Sequence, residues 1–216
     1  MQFFVLNDGN HLNSNSAFAI FVLSYSKITV NNLKEKEKML SGELYDAGDA
    51  TLVEERQRSK DLCFRYNQIQ PSKMKERKGI IKTLFGKVGK MFLIEQPFFC
   101  DYGYNIEIGE NFYTNVNVVI LDCAKVTFGD NVFIAPNCGF YTVNHPLDVE
   151  TRNKGLEYAL PITVGNNVWI GAGCSILPGV TIGDNAVIGA GSVVVKDIPA
   201  NVLAFGNPCK IIKEIL

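Results

Sequence analysis

The chain has 216 residues, of which 47% are hydrophobic, with a formal net charge of −1 and a pI near 6.1. This composition is typical of a globular protein with one domain and a smaller attached element. The near-neutral charge provides no electrostatic footprint for nucleic acid, so we expect no such partner.

The cysteines and the apolar segments favour a cytoplasmic protein with no membrane span. The cysteines lack C-x-x-C spacing, in a chain long enough to build a core without disulfides, and we interpret them as reduced thiols. They are Cys63, Cys100, Cys123, Cys138, Cys174 and Cys209. The apolar stretch at residues 17–23 is too short to span a bilayer. No Lys or Arg precedes it, as a secretory signal would require.

Three segments follow one another along the chain. Residues 1–32 are rich in Asn and Ser without a clear period, and we expect a poorly ordered leader. Residues 33–90 carry apolar side chains near a 3.6-residue spacing, which predicts two or three short helices. Residues 91–216 are assigned to a β-solenoid with a protruding loop at 144–161 and a C-terminal tail.

The solenoid is predicted by apolar residues that recur every six positions. Gly follows four members of one unbroken series, which is Val164, Ile170, Ile176, Ile182, Ile188 and Val194. Such a period indicates a coil of short strands joined by sharp corners, with one branched side chain per strand pointing inward. The fold class is therefore mainly β, a parallel β-helix of four to five turns between Ile106 and Leu203, preceded by short α-helices. The register shifts by two residues between Ile120 and Phe128.

Asparagines fall where the coil must bend, and Asn tolerates left-handed backbone angles better than most residues. The expected corner residues are Asn111, Asn131, Asn166, Asn167 and Asn185. A solenoid alone commits to no chemistry, so a function must come from what interrupts the repeat.

The repeat is interrupted once on a large scale, between Phe140 and Val164. The loop at 144–161 contains His145, the one histidine outside the leader. An excursion of this size from a regular solenoid is usually functional.

The chain resembles the maltose and galactoside O-acetyltransferases over residues 37–215. The matching motifs are MLSGELY at 39–45, RYN at 65–67, DYGYNI at 101–106, the Asn-His-Pro loop at 144–146, and GNPCK at 206–210. The resemblance implies a left-handed coil, a homotrimer with active sites between subunits, and acetyl-CoA as co-substrate.

His145 matches the catalytic histidine of the family. An alcohol is a weak nucleophile until it loses its proton, and histidine, with an ordinary pKa near ~6.5, suits a general base. The loop shows no Ser-His-Asp or Cys-His arrangement, which argues against an acyl-enzyme. We therefore expect direct attack of the acceptor hydroxyl on the thioester.

The resemblance also implies an acceptor site of short polar side chains. Asp101, Tyr113, Asn115 and Asp122 lie at or beside acceptor positions of the family. Asp46 is assigned to the same site, with a simple turn acid as the alternative. Glu157 matches a family glutamate, assigned to the acceptor site or to orienting the imidazole, with a solvated loop carboxylate as the alternative.

The donor site is implied in the same way and requires an extended groove with local cations. Its positions are Trp169, Ala172, Ala190, Val195, Lys196, Lys210 and Lys213. Trp169 points away from the coil by its place beside Ile170, and subunit packing is its alternative use. Lys210 and Lys213 replace two arginines of galactoside members, and Val195 replaces a threonine. Lysine lacks bidentate phosphate geometry, so donor affinity could be weaker.

Three rival functions remain to be compared. A zinc-dependent γ-type carbonic anhydrase shares the solenoid but needs three histidine ligands, and this chain has only His11 and His145. We therefore expect no metal. A non-enzymatic platform leaves the loop at 144–161 unexplained. Among acetyltransferases, a xenobiotic, serine or cell-surface saccharide acceptor is the alternative to a maltose-like sugar.

Overall fold

The computed structural model describes residues 33–215, and the expectation for the leader lies outside this range. Three helices begin it, α1 at Glu35–Ser41, α2 at Ala50–Gln68 and α3 at Met74–Leu84, which confirms the predicted helical segment. Asp49 starts α2 by accepting hydrogen bonds from the amides of Thr51 and Leu52. None of these helices is long and apolar enough to cross a membrane.

The remaining elements are short strands and one short helix. Strand β1, Tyr45–Asp46, lies between α1 and α2, and α4, Val149–Asn153, lies between β10 and β11. The strands after α3 are β2 Phe92–Ile94, β3 Phe98–Cys100, β4 Ile106–Ile108, β5 Phe112–Thr114, β6 Val118–Leu121, β7 Val126–Phe128, β8 Phe133–Ile134, β9 Gly139–Tyr141, β10 Val143–Asn144, β11 Leu156–Ala159, β12 Ile162–Val164, β13 Trp169–Ile170, β14 Ser175–Ile176, β15 Thr181–Ile182, β16 Val187–Ile188, β17 Val193–Val194, β18 Val202–Phe205 and β19 Lys210–Glu214.

These strands form the three faces of a parallel β-solenoid. The first face contains β4, β7, β12 and β15, and the third contains β3, β6, β9, β14 and β17. The second face contains β2, β5, β8, β13, β16 and β18, with β19 added antiparallel to β18 at its edge. The solenoid has about six turns, because a coil with β2 and β3 precedes Ile106, where the predicted four to five turns begin. The inward-facing residues of β2 and β3 in this first coil are Phe92, Ile94, Phe98 and Cys100.

The interior is filled by alternate residues of each strand. Ile106 and Ile108 are both buried while Glu107 between them is not, as the pleat of a strand requires. The three-residue strands therefore contribute two inward side chains, where the sequence predicted one. Aromatic rings meet in the interior, where the ring centroid of Phe128 lies 5.0 Å from those of Phe112 and Phe140, tilted by 55° to the first ring and edge-on at 82° to the second.

The corner between the first and second faces, here the asparagine corner, is built from left-handed asparagines. Their φ angles lie between 52° and 60°. Each side-chain amide donates to the next asparagine, over 2.7 to 3.0 Å, along the series Asn111, Asn131, Asn167, Asn185 and Asn201. Asn166 was expected in this conformation but is not among the left-handed residues. Its side-chain oxygen instead accepts a hydrogen bond from the Asp130 amide.

The other two corners differ in length. The glycine corner, between the second and third faces, contains residues 115–117, 135–137, 171–173 and 189–191. The loop corner, between the third and first faces, contains residues 101–105, 122–125, 142–161, 177–180 and 195–197. Asn111 and Asn131 are 20 residues apart, whereas Asn167 and Asn185 are 18 apart. At the loop corner, five residues lie between the inward-facing Ile120 and Val126, whereas three lie between Ile176 and Val180, and this difference explains the two-residue shift in the repeat.

The long excursion at the loop corner is a folded hairpin. Strands β10 and β11 pair antiparallel, and β1 pairs with the other edge of β11. Asp148 begins α4 at the tip by accepting a hydrogen bond from the Thr151 amide. The excursion is therefore ordered by its own strands and by the segment that precedes α2.

Candidate active site

His145 directly follows β10, where the hairpin leaves the loop corner. Its side chain is 58% exposed, and its Nε2 lies 4.0 Å from Oε1 of Glu157. An exposed imidazole beside a carboxylate can accept a proton from a bound alcohol. The structure therefore brings the predicted base and the predicted loop glutamate together.

Tyr45 fixes the other oxygen of Glu157. The pairing of β1 with β11 places Tyr45 opposite Glu157, and the buried phenol donates a hydrogen bond of 2.7 Å to Oε2. Burial, followed by interactions with Cys123 and Glu157, raises the pKa of Tyr45 far above its ordinary value. Sequence reasoning missed this contact because a two-residue strand leaves no recognisable period.

Asp101 lies in the same cluster. Burial raises the pKa of its carboxyl, while a hydrogen bond from Cys123 and the charges of Arg56 and Lys60 oppose the rise. The Cys123 thiol donates to Oδ2 over 3.7 Å, and the charge of Glu157 also reaches Asp101. Asp101 is therefore a partly buried hydrogen-bond acceptor in the neighbourhood of Glu157.

Arg56 ties α2 to this corner. Its guanidinium donates to the Tyr102 hydroxyl over 2.7 Å and to the Ala47 carbonyl over 2.6 Å. Neither Arg56 nor Tyr102 was predicted as a site residue, because Arg56 has the spacing of an ordinary helical position and Tyr102 lies at a corner of the coil. Together they place a cation beside Asp101.

Asp122 is fully buried beneath the cluster. Its Oδ1 accepts hydrogen bonds from the amides of Asp101 and Tyr102, over 3.1 and 2.8 Å, while Oδ2 has no partner among the described residues. Burial raises the pKa of Asp122 to about 7. In this position Asp122 holds the backbone under Asp101 and has no surface to offer an acceptor.

Asp46 is exposed at the end of β1. Its Oδ1 accepts a hydrogen bond of 2.7 Å from the Gly48 amide, and its own amide donates to Glu35. This geometry is that of a turn-forming aspartate. It fits the turn alternative as well as a place at the acceptor site.

A large groove adjoins Asp101 on the outside of the third face. It has a volume of about 900 Å³, and apolar side chains of Phe64, Phe99 and Leu121 line it. Phe64 and Phe99 are 68% and 47% exposed. A groove of this size could hold a small ligand.

Other predicted site residues lie on a different edge of the same chain. Asn115, Ala172 and Ala190 lie at the glycine corner, and Tyr113 lies on the second face. The side-chain oxygen of Asn115 accepts a hydrogen bond from the Val116 amide. The width of the third face separates this edge from the His145 cluster, so one chain does not bring the two groups together.

The predicted donor residues occupy three places. Trp169 is 56% exposed and shares a groove of about 450 Å³ on the second face with Val187, Leu203 and Lys213. Lys210 begins β19 opposite Phe205, at the same edge as the glycine corner. Val195 and Lys196 are exposed at the loop corner.

Residues 33–215 contain no group of three or more His, Cys, Asp or Glu side chains arranged to hold a metal ion.

Comparisons with known proteins agree with this architecture. A family model described as the maltose acetyltransferase hexapeptide capping motif matches residues 38–89, and one described as bacterial transferase hexapeptide, six repeats, matches residues 161–196. The galactoside O-acetyltransferase of Escherichia coli K12 is 48% identical over 85% of this chain and 92% of its own.

Two solved structures are similar along most of their length. A maltose O-acetyltransferase from Clostridium difficile 630 has a TM-score of 0.85 and 53% identity, over 86% of this chain and all of its own. A galactoside acetyltransferase in complex with coenzyme A has a TM-score of 0.83 and 48% identity, over 86% of this chain and 92% of its own.

The coil of six-residue repeats and its histidine-bearing hairpin define a hexapeptide-repeat acyltransferase with a left-handed β-helix. Within that class, the chain belongs to the maltose and galactoside O-acetyltransferase family. It is therefore an O-acetyltransferase, and the resemblance that the sequence motifs indicated is confirmed.

Proposed function

We propose that the protein transfers an acetyl group from acetyl-CoA to a hydroxyl of a maltose-, glucose- or galactoside-like sugar, with His145 as general base. The position of His145 beside Glu157 carries this proposal, because it places an exposed imidazole next to a carboxylate. Acetyl-CoA supplies the acetyl group as a thioester with an electrophilic carbonyl carbon. His145 takes the proton of the acceptor hydroxyl as that oxygen attacks the carbonyl carbon. The C–S bond then breaks, and the departing thiolate of coenzyme A takes the proton from His145, which leaves the acetyl ester and free coenzyme A.

Acceptor recognition is assigned to the polar groups around the imidazole. Asp101 provides carboxylate oxygens that can accept hydrogen bonds from sugar hydroxyls, and Glu157 is assigned to orienting the imidazole of His145. The remaining members of the proposed acceptor site are Asp46, Tyr113, Asn115 and Asp122. Of these, Asp122 acts through Asp101, because its own side chain is fully buried.

Donor binding is assigned to the glycine corner and the groove beside it. Small residues at Ala172 and Ala190 leave the backbone exposed to an extended ligand. Trp169 and Lys213 offer an aromatic surface and a cation in one groove, which suits a phosphorylated nucleotide. Lys196 and Lys210 would add charge, and Val195 would contribute an apolar contact.

A homotrimer would complete the site. The His145 cluster and the glycine corner lie on different edges of one chain, so a neighbouring copy must supply the second edge. Mixing His145→Ala and Asn115→Ala chains tests this, because about one quarter of intersubunit sites in a random mixture would be intact. Activity should return on mixing, and no recovery would contradict a shared site.

The base assignment is tested by His145→Ala, with His11→Ala as the matched control on the other histidine of the chain. We expect kcat to fall by about 10²-fold or more with the oligomer intact. Release of free thiol from acetyl-CoA reports the rate. Activity retained in His145→Ala would remove the general base.

A second acceptor class is favoured by the apolar lining of the groove beside Asp101. A hydroxylated xenobiotic with an apolar body would bury Phe64 and Phe99. An acceptor panel of sugars, aryl glycosides, hydroxylated antibiotics and serine separates the possibilities. Acetylation of antibiotics alone would overturn the sugar proposal, and no thermal stabilisation by coenzyme A would favour a binding platform.

A further inference from the structure

The short strand β1 brings a tyrosine to the hairpin that carries the base. In the antiparallel pairing of β1 with β11, Tyr45 stands directly opposite Glu157. Residues opposite each other in such a pair project from the same face of the sheet. The side chains of Tyr45 and Glu157 are therefore neighbours by backbone register.

The contacts divide the two oxygens of Glu157 between two partners. The Tyr45 hydroxyl donates a hydrogen bond of 2.7 Å to Oε2, and Oε1 lies 4.0 Å from Nε2 of His145. Within residues 33–215, Tyr45 is the side chain that donates a hydrogen bond to this carboxylate. Without that bond, the Glu157 side chain could adopt other rotamers away from the imidazole.

Tyr45 is suited to hold this position. Its side chain is fully buried in a small cluster with Met39, Leu52 and Cys123, so the ring is fixed by packing. Burial also keeps the phenol protonated, and it stays a donor throughout the range in which the enzyme works.

The carboxylate is placed to act on the charge that develops at His145. The imidazole becomes positive as it takes the acceptor proton, and a carboxylate at 4.0 Å favours that charged form. The titratable groups that face Glu157 are Tyr45, Cys123, Asp101 and His145 itself. Of these, the Tyr45 hydroxyl is the one bonded to the carboxylate.

We propose that Tyr45 is a positioning residue for the general base, holding the Glu157 carboxylate against the imidazole of His145 through one hydrogen bond. This inference rests on the proposed role of His145. Tyr45 does not touch the substrate, so its removal should change the rate of transfer more than the binding of either substrate.

The test compares Tyr45→Phe with Tyr104→Phe. Tyr104 is a matched control because its hydroxyl also donates a hydrogen bond of 2.7 Å to a glutamate, but to Glu55 of α2 and not to Glu157. Tyr45→Phe should lower kcat about tenfold or more, the value of a hydrogen bond to a charged group, with both KM values within about twofold. Tyr104→Phe should leave kcat unchanged.

A double-mutant cycle with Glu157→Gln separates positioning from packing. If Tyr45 acts through Glu157, adding Tyr45→Phe to Glu157→Gln should lower kcat no further. Additive losses would overturn the proposal. So would a rise in acceptor KM with kcat unchanged, because Glu157 would then serve the acceptor instead of the base.

The experiments can refute the positioning role of Tyr45 without refuting the general-base role of His145. If His145→Ala is inactive but Tyr45→Phe has the same kcat as Tyr104→Phe, His145 is still the general base and the positioning role of Tyr45 is refuted. If Tyr45→Phe does not fold, Glu157→Gln decides alone: it should lower kcat at constant KM for both substrates, and an unchanged kcat would refute the proposal.

Discussion

The buried carboxyl of Asp122 should make the protein less stable as the pH rises. Burial raises its pKa from 3.8 to about 7, so the folded protein binds this proton more tightly than the unfolded chain does. The stability that it contributes is complete below about pH 3.8 and is lost as the pH rises through about 7. We therefore expect the loss in the window between these two values.

The magnitude follows from the same two pKa values. Each tenfold change in proton affinity corresponds to about 1.36 kcal/mol, so the shift from 3.8 to about 7 is worth about 4 kcal/mol in total. About 2.5 kcal/mol of this should be lost between pH 5 and pH 8. Asp122→Asn keeps an oxygen for the amides of Asp101 and Tyr102 but has no proton to lose.

Urea unfolding at equal protomer concentration, at pH 5 and pH 8, measures the effect. The difference in unfolding free energy between Asp122→Asn and the parent protein should shift by about 2.5 kcal/mol in favour of the variant. Asp130→Asn is the control, because Asp130 is exposed and its carboxylate also accepts a backbone amide hydrogen bond. The same difference at both pH values would refute the reasoning.

Other substitutions test packing, the corners and the buried cation. Gly103→Ala should lower the free energy of unfolding by about 3 kcal/mol, because the φ of Gly103 is +78° and a new Cβ would lie 2.6 Å from the Leu84 carbonyl oxygen. Gly155 has a similar φ of +77°, but a new Cβ there would meet no neighbouring atom, so Gly155→Ala should lower the free energy of unfolding by only about 1 kcal/mol, measured by urea unfolding. Equal losses for the two variants would contradict the packing argument. Asn185→Ala should lower stability by about 2 kcal/mol through two lost amide bonds and a strained φ of 59°, whereas Asn185→Gly should recover about half. A Gly variant no better than Ala would exclude backbone strain. Arg77→Met should cost about 3 kcal/mol, because buried Arg77 donates to the Ile94 carbonyl and to Glu95, whereas exposed Arg58→Met should stay within about 0.5 kcal/mol. Similar thermal shifts for both arginine variants would contradict the buried network.

The period of six predicted the solenoid because each coil repeats the same inward position. The repeats were recognised only from Ile106 onward, because Phe92 and Phe98 of the first coil have the right spacing but lack the glycine that marks later coils. The pattern also hid the second inward residue of strands such as β4, since alternation over three residues is too short to recognise.

The sequence predicted which residues form the site better than how those residues are arranged. His145 stood out as the histidine of the long interruption, and its neighbour Glu157 followed from the family motif. Tyr45 and Arg56 were missed because their contacts join segments far apart in the chain, which no local pattern can report. The separation of Asn115 from His145 likewise depends on which corner each occupies.

The asparagine corner also determines where the chain can change length. Neighbouring members of the amide series are 20, 36, 18 and 16 residues apart, yet each pair makes the same bond. The coils therefore differ in length only between successive asparagines of this edge, chiefly at the loop corner. Because the asparagine bonds keep neighbouring coils aligned at this edge, the hairpin that bears His145 can change in length or be exchanged for another without realigning the coils.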